Sequence, residues 1–296
     1  MDQTDNTSPS PYQNDPSLGS SRPVPVDDES QPLLGATSGS RATHRRRQDG
    51  SSQTGKWHLR IVRSQSEIGL VYLDSLDNRI PHDAEVVHFS YSLNPQQYSR
   101  LTVKLDYGIS GDVVISQSEN FFEKNILIYG SMKASTLPLF DCMSHTLIRD
   151  SYASTAKHLI FADLPYPELE EALKKYAMRV TLSVVIPRHL DNYAAIEILS
   201  SFQGDVKVAL NHGRLTEGLT VKANQGNVIL EGLKVLGPLK VEARLGKVQA
   251  KVGAERIVKM SASGPLELEI TSTGEGLDLD VVSFYEQASL ILAAFC

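Results

Sequence analysis

Hydrophobic and polar residues alternate in short blocks along the last third of the chain, from about residue 202 onwards. An alternation of period two places successive side chains on opposite faces of a β-strand. The blocks start every 8 to 13 residues, and many have a glycine before or between them. The pattern predicts eight strands, around 206–208, 219–221, 228–230, 239–241, 248–250, 258–260, 266–268 and 277–279.

Two successive strands of this region form a unit of about 20 residues that repeats. The segments 226–232, 237–253 and 264–281 resemble one another. Short strands with glycine-bearing turns fit either an antiparallel sandwich or meander, or a β-solenoid in which each coil stacks on the next. The self-similarity favours the solenoid. The alternation predicts that Val206, Val208, Leu219, Val221, Leu239, Val241, Leu266 and Leu268 point inward, and that Lys207, Thr220, Lys240 and Glu267 point outward.

Strand-like segments also fill the middle of the chain, where Val, Ile, Tyr and Phe are frequent. They are predicted at 85–93, 99–107, 111–117, 124–132, 157–164 and 177–187, and Trp57 starts another one. One helix interrupts them, at about 166–178, because Leu169, Leu173 and Tyr176 follow a 3.6-residue period. Residues 190–200 fit either a second helix or a continued strand.

The first 55 residues have a different composition from the rest, because 26 of them are Ser, Thr, Pro or Gly. Their apolar residues have no period, so the segment is predicted to be a disordered tail. The predicted organisation is thus a tail at 1–55, a β-rich part with one helix at 56–200, and a glycine-punctuated repeat part at 201–296. The fold class is mainly β, a repetitive β-solenoid or β-helix-like domain.

The tail contains DDESQPLLG, in which Glu29 precedes Leu33 and Leu34 at the spacing of an acidic dileucine sorting signal. Such a signal is recognised by cytosolic sorting adaptors on the tails of membrane proteins. However, the chain has no uninterrupted apolar stretch of the roughly 20 residues that a membrane helix needs. As written, the sequence predicts a cytoplasmic protein.

The repeats and the tail together resemble a family of candidate adhesins, β-solenoid domains of unknown function, and its fungal members in particular. The resemblance rests on the Gly-x-Val/Leu-x-Val/Leu units of 200–282 and on the strand 177–187 that ends in proline before them. Fungal members carry a similar tail, then basic residues, then one membrane helix, which implies an endosomal or vacuolar membrane association.

This sequence departs from the family pattern at two points. The basic residues 45–47 run directly into QDGSSQTGKWHLR without a membrane helix, and residues 288–296 break the glycine–strand rhythm. A truncated reading of the gene or an unspliced intron, which would omit a membrane helix and C-terminal repeats, would account for both departures.

Few residue patterns point to catalysis or to a cofactor. Cys142 and His145 are the closest Cys–His pair, but a closed zinc site needs four ligands and a nucleophile needs a positioned base. Residues 274–280 are acidic and glycine-rich, yet they lack the spacing of a calcium-binding repeat. We therefore predict no enzyme, no metal and no cofactor.

Charge is distributed unevenly along the repeats. Residues 206–260 contain ten Lys or Arg against four Glu, whereas 261–281 contain five acids and no base. A basic surface of this kind fits anionic polysaccharide or lipid headgroups. Nucleic acid is not predicted, because aromatic residues do not interleave with the bases. The candidate anion-binding residues are Lys207, Lys222, Lys240, Lys247, Lys251 and Lys259.

Three functions fit these features. The first is a non-enzymatic structural or interaction module whose tail binds a sorting adaptor. The second is a carbohydrate-binding or carbohydrate-active β-solenoid, which as an enzyme would need paired carboxylates in one groove, with 267/269 and 278/280 as the acidic strand faces. The third is a cytosolic scaffold that uses residues 45–47 for nuclear entry.

Overall fold

The computed structural model describes residues 57–61, 79–190, 192–211, 213–272, 277–284 and 288–294. The described chain is mainly β, as predicted. Its strands are β1 Trp57–Ile61, β2 Val86–Leu93, β3 Arg100–Leu105, β4 Ile109–Gln117, β5 Ile126–Ala134, β6 Met143–Asp150, β7 Thr155–Ala162, β8 Met178–Ile186, β9 Asn192–Gln203, β10 Val206–Ala209, β11 Arg214–Gln225, β12 Val228–Val235, β13 Leu239–Leu245, β14 Val248–Ala254, β15 Ile257–Ala262, β16 Leu266–Ser272, β17 Asp278–Ser283 and β18 Ala288–Ala294. Its helices are α1 Leu137–Asp141 and α2 Tyr166–Leu173.

The strands pair in two ladders, which a short pairing of β11 with β12 connects. Ladder 1 has the order β2-β5-β8-β4-β10-β12-β14-β16-β18. Ladder 2 has the order β6-β7-β3-β9-β11-β13-β15-β17-β1. From β10 onwards the chain alternates between the ladders, so each ladder receives every second strand.

The pairing within the repeat part is parallel, with partners 18 to 22 residues apart, as in Val206↔Val228, Val228↔Val248, Val248↔Leu266 and Leu266↔Ala288. An antiparallel meander is therefore wrong for this part of the chain. Within the described ranges, antiparallel pairs occur only in the part that precedes the repeats, where β5 pairs with β2 and β8, and β6 pairs with β7.

The core contains the apolar residues of both ladders. All eight residues predicted to point inward are at most 3% exposed. Each apolar side chain lies directly over one of the same kind in the next strand, so that Val208, Leu230, Ala250 and Leu268 form one buried row. Burial of such rows is the main stabilising contribution to the fold.

Glycines explain the sharp turns where the chain passes from ladder 2 to ladder 1. Gly204 and Gly226 have φ of +148° and +152°, values that L side chains rarely adopt. A β-carbon on Gly204 would collide with the carbonyl oxygen of Gly111, and one on Gly226 with that of Gly204. Gly246 stacks on Gly226 in the same way. The regular glycines of the sequence thus permit backbone-on-backbone stacking of the turns.

A row of polar side chains follows this glycine column. Asp112 accepts a hydrogen bond from the backbone N–H of Asp205 (3.0 Å), Asp205 accepts one from Asn227 (2.7 Å), and Asn227 accepts one from Lys247 (3.1 Å). Arg179 lies 2.6 Å from the carboxylate of Asp112. Each of these side chains therefore accepts a hydrogen bond from the backbone N–H of the next strand's turn. These bonds fix the register of the strands in ladder 1.

Some predicted elements differ from the structure. The helix predicted at 166–178 ends at Leu173, because Ala177 and Met178 are buried (both 1% exposed) where the chain enters β8. The helical option for 190–200 is wrong, because residues 192–200 lie in β9, between β3 and β11. Helix α1 and strand β6 were not predicted.

The segment 288–296, predicted to break the rhythm, instead contributes β18, which pairs in parallel with β16. Its Leu290 and Leu292 lie over Leu268 and Ile270. The alternation of apolar residues suffices for this pairing without a glycine in front.

At the same end of the molecule β1 pairs with β17, so the first strand of the chain extends the ladder that the repeats build. Neither helix within the described ranges is long and apolar enough to cross a membrane.

Candidate anion-binding groove

The outer face of ladder 2 carries a row of polar residues at equivalent register positions. The row consists of Thr102, Glu197, Thr220, Lys240, Lys259 and Asp280, one from each of six neighbouring strands. Neighbouring strands lie about 4.8 Å apart, so the row extends over roughly 24 Å across the strands. The row is possible because parallel, in-register strands align outward positions as strictly as inward ones.

Two adjoining depressions follow this row. One has a volume of about 290 Å³ and is lined by residues of β11, β13, β15 and β17, including Lys240, Lys259 and Asp280. The other has a volume of about 370 Å³ and is lined by residues of β3, β7, β9, β11 and β13, including Thr102 and Glu197. The depressions share Thr220 and Lys240, and we refer to them together as the ladder 2 groove.

The structure separates the six predicted lysines into two groups. Four lie beside a glutamate of the next strand on the same ladder, at 3.0 to 3.7 Å. The pairs are Lys207–Glu231, Lys222–Glu242, Lys247–Glu267 and Lys251–Glu269. These lysines link strands, and their charge is compensated.

Lys240 and Lys259 form the second group. They are exposed, occupy directly opposite positions on β13 and β15, and have no carboxylate within 4 Å among the described residues. Like charges directly opposite each other destabilise a sheet, so this pair has a cost for the fold. The ladder 2 groove therefore contains two adjacent positive charges without an ion pair among the described residues, and Asp280 occupies the position opposite Lys259 on β17.

An ion pair lies at the β3 end of the groove. The guanidinium of Arg100 donates hydrogen bonds to both carboxylate oxygens of Glu217, at 2.6 and 2.9 Å. This pairing raises the pKa of Arg100 and lowers the pKa of Glu217. Thr102 donates a hydrogen bond to Glu197 at 3.2 Å. Sequence reasoning missed Arg100 and Glu217, since 117 residues separate them and no motif joins them.

The predicted acidic strand faces do not come together. Glu267 and Glu269 lie on ladder 1 and are ion-paired with Lys247 and Lys251, whereas 278 and 280 lie on ladder 2. The carboxylates that do line the ladder 2 groove are Glu242 and Asp280 at one end and Glu197 and Glu217 at the other.

Cys142 and His145 are not arranged as a site. The Cys142 thiol donates to the carbonyl oxygen of Pro138 at 3.1 Å, and His145 Nδ1 lies 2.7 Å from the hydroxyl of Tyr91. No group of three or more His, Cys, Asp or Glu in the described part of the chain could hold a metal ion. Residues 274–276 of the calcium candidate, and the tail residues Glu29, Leu33 and Leu34, lie outside the described residues.

A second cluster was not predicted. His158 is completely buried, and neither ring nitrogen has a hydrogen-bond partner among the described residues. Phe89, Tyr91 and His145 surround it, with ring centroids 5.3, 5.3 and 6.2 Å away. Burial, and to a smaller extent His145, lowers the pKa of His158 to about 4. This cluster belongs to the core between β2 and the β6–β7 hairpin.

No family model and no curated protein sequence matches the chain. Solved structures similar to it include a candidate cell adhesion protein from Clostridium sporogenes (14% identity, TM-score 0.35, 71% of this chain and 100% of that chain). A candidate adhesin from Bacteroides fragilis (12%, TM-score 0.27, 71% and 97%) and a candidate lipid-binding protein from Parabacteroides distasonis (11%, TM-score 0.20, 72% and 98%) are also similar. Likenesses at this level do not establish a shared function.

Proposed function

We propose that this protein is a non-enzymatic, adhesin-like interaction module whose ladder 2 groove binds a linear anionic polysaccharide. The observation that carries the proposal is the pair Lys240 and Lys259, which are stacked in register and have no carboxylate within 4 Å among the described residues. A ligand with regularly repeated negative groups would relieve their repulsion.

The shape of the groove supports a linear ligand over a compact one. It crosses six strands and is shallow, and polar hydroxyls of Thr102 and Thr220 alternate with its charges. The parallel ladders with an 18 to 22-residue register support the interpretation of 206–294 as coils of a β-solenoid. Stacked coils of this kind create long, regular binding surfaces.

Titration with a fluorescently labelled heparin hexasaccharide at low salt tests this function. We expect the wild-type protein to bind, with an affinity that falls as salt rises, because the interaction is between exposed charges. The variant Lys240→Gln/Lys259→Gln should bind at least tenfold more weakly. The control Lys207→Gln/Lys251→Gln removes the same net charge from ion-paired lysines of ladder 1 and should bind nearly as the wild type does.

Other anionic partners are distinguished by two further probes. A neutral hexasaccharide of equal length should not bind. Vesicles with phosphatidylserine that compete with the hexasaccharide at the groove would favour the lipid headgroup alternative. Equal loss of binding in both double variants would show that net charge alone attracts the ligand, and would exclude a specific groove.

The adaptor-binding role of the tail remains a separate prediction. If Glu29, Leu33 and Leu34 form a sorting signal, then Leu33→Ala/Leu34→Ala should abolish binding of the immobilised tail to purified adaptor complexes.

A further inference from the structure

The loop between β4 and β5, residues 118–125, presents two adjacent phenylalanines to solvent. Phe121 is 67% exposed and Phe122 is 89% exposed. Single exposed apolar residues are common on protein surfaces, but a contiguous pair at a protruding tip marks a surface for interaction.

Hydrogen bonds order the backbone of this loop, and a cation–π contact positions the ring of Phe121. The side chain of Asn120 accepts a hydrogen bond from the backbone N–H of Phe122 at 2.9 Å, and the side chain of Glu123 accepts one from Asn125 at 2.9 Å. The guanidinium of Arg188 lies 4.1 Å from the centre of the Phe121 ring, a cation–π contact. The loop backbone and the Phe121 ring therefore lose little conformational entropy when the loop binds a partner.

A third exposed aromatic residue lies on the same edge of the molecule as the two phenylalanines. The β6–β7 turn carries Tyr152, which is fully exposed, and Asp150 accepts hydrogen bonds from the N–H groups of Tyr152 and Ala153 at 3.0 Å each. The C-terminal ends of ladder 1 strands and the N-terminal ends of ladder 2 strands share this edge, because short connections such as 187–191 join them.

The size of this surface indicates the class of partner. Two phenylalanines bury at most about 400 Å², which is half of what each side of a stable protein interface buries. A lipid bilayer needs no complementary partner surface, and aromatic side chains insert readily at its interface. Glu119 and Glu123 offset Lys124 and Arg188, so the tip carries no net charge to select anionic lipid.

We propose that the 118–125 loop inserts Phe122 and Phe121 into the interfacial layer of a lipid bilayer. The guanidinium of Arg188 then lies at the level of the headgroups, and Tyr152 contacts the surface beside them. This contact is independent of the ladder 2 groove. It gives the module a weak, reversible attachment through apolar contact, which a single short loop provides.

Co-sedimentation of the full chain with neutral phosphatidylcholine vesicles tests the proposal. We expect binding that changes little between low and high salt. Each change Phe121→Ser and Phe122→Ser should reduce the partition coefficient about tenfold, and the double variant about 100-fold. Leu137→Ser is the matched control, since Leu137 is 61% exposed on the opposite edge, and it should bind as the wild type does.

Three results would overturn the proposal. The first is that the wild type does not sediment with the vesicles, and the second is that the double variant sediments as the wild type does. The third is a wild-type dimer in sedimentation velocity that Phe122→Ser dissociates, because this result would assign the tip to self-association. The groove variant Lys240→Gln/Lys259→Gln should still bind these vesicles, so failure of one proposal can be distinguished from failure of the other.

Discussion

At the scale of single residues, the glycines are the feature whose role the structure changes most. Their spacing in the sequence indicates turns, but the reason for glycine at 204, 226 and 246 is the approach of one turn's backbone to the next. Any side chain there would displace a neighbouring turn, and two of the three positions also have φ near +150°.

The change Gly226→Ala should therefore destabilise the protein strongly, by about 3 kcal/mol or more. Gly253→Ala is the control, because the nearest atoms to a β-carbon there would be those of Lys234 at 3.4 to 3.7 Å, which are ordinary contacts. Urea denaturation at pH 7 measures both. Equal losses of unfolding free energy in the two variants would contradict the stacking argument.

His158 is the second informative residue, because it is a buried base with no compensating hydrogen bond among the described residues. Its pKa in the folded protein, about 4, is below the ordinary value of 6.5. The unfolded chain therefore binds a proton as pH falls below 6.5, whereas the folded chain does so only near pH 4. Stability must decrease over this window.

We predict that this histidine alone destabilises the wild type by about 3 kcal/mol when pH falls from 7 to 4. The variant His158→Leu should lack this pH-dependent loss of stability. The difference in unfolding free energy between the wild type and the variant should therefore change between pH 7 and pH 4, and stay constant above pH 7. Thermal or urea unfolding at several pH values measures it. Parallel profiles for the two proteins would show that His158 does not titrate in this way.

At the scale of elements, the alternating strands of the repeat part were predictable because one physical signal, period-two burial, defines them. Strand β6 was missed because only Met143 is fully buried among its residues, so the alternation is weak. Residues 190–200 were ambiguous because NYAAIEILSS also allows a helical face, and only pairing with β3 and β11 selects the strand. Sequence patterns do not report such pairing.

The same limit applies to the groove. Sequence indicated six lysines, but only the register of the ladders shows which of them face a glutamate and which face each other. The Arg100–Glu217 pair forms because β9 pairs with both β3 and β11, which brings these two strands close to each other.

Lysines in the two groups should respond differently to substitution. Lys240→Gln should raise stability slightly, by up to about 0.5 kcal/mol at low salt, because Lys240 faces Thr220 and Lys259 and its removal relieves the repulsion from Lys259. Lys251→Gln should lower stability by a similar amount, because it breaks the pair with Glu269. Thermal unfolding at low and high salt measures both effects, and both should shrink as salt rises. Destabilisation by both substitutions would contradict the distinction between free and paired lysines.

At the scale of the whole molecule, the repeats make a fold in which non-local parallel contacts dominate. The pairing of β1 with β17 brings the first strand to the end of the ladder that the last repeats form. The sequence predicted that β1 is a strand, but it contained no signal that β17 is its partner. The partner of a parallel strand depends on where the strand lies in the ladder.

Removal of this strand should loosen the end of ladder 2. A chain that starts at residue 62 should show faster hydrogen exchange at the amides of 278–283 than a chain that starts at residue 57, whereas the amides of 206–209 should exchange alike in both. Equal protection of β17 in the two chains would mean that β1 does not pair there in solution.

Amide NMR during titration with heparin hexasaccharide can locate binding of an anion at Lys240 and Lys259 in the ladder 2 groove. We expect chemical shift changes to concentrate at residues 220–222, 240–242, 259–261 and 280–282, and to vanish in Lys240→Gln/Lys259→Gln. Shift changes confined to the ion-paired lysines of ladder 1, or none at all at low salt, would contradict this expectation.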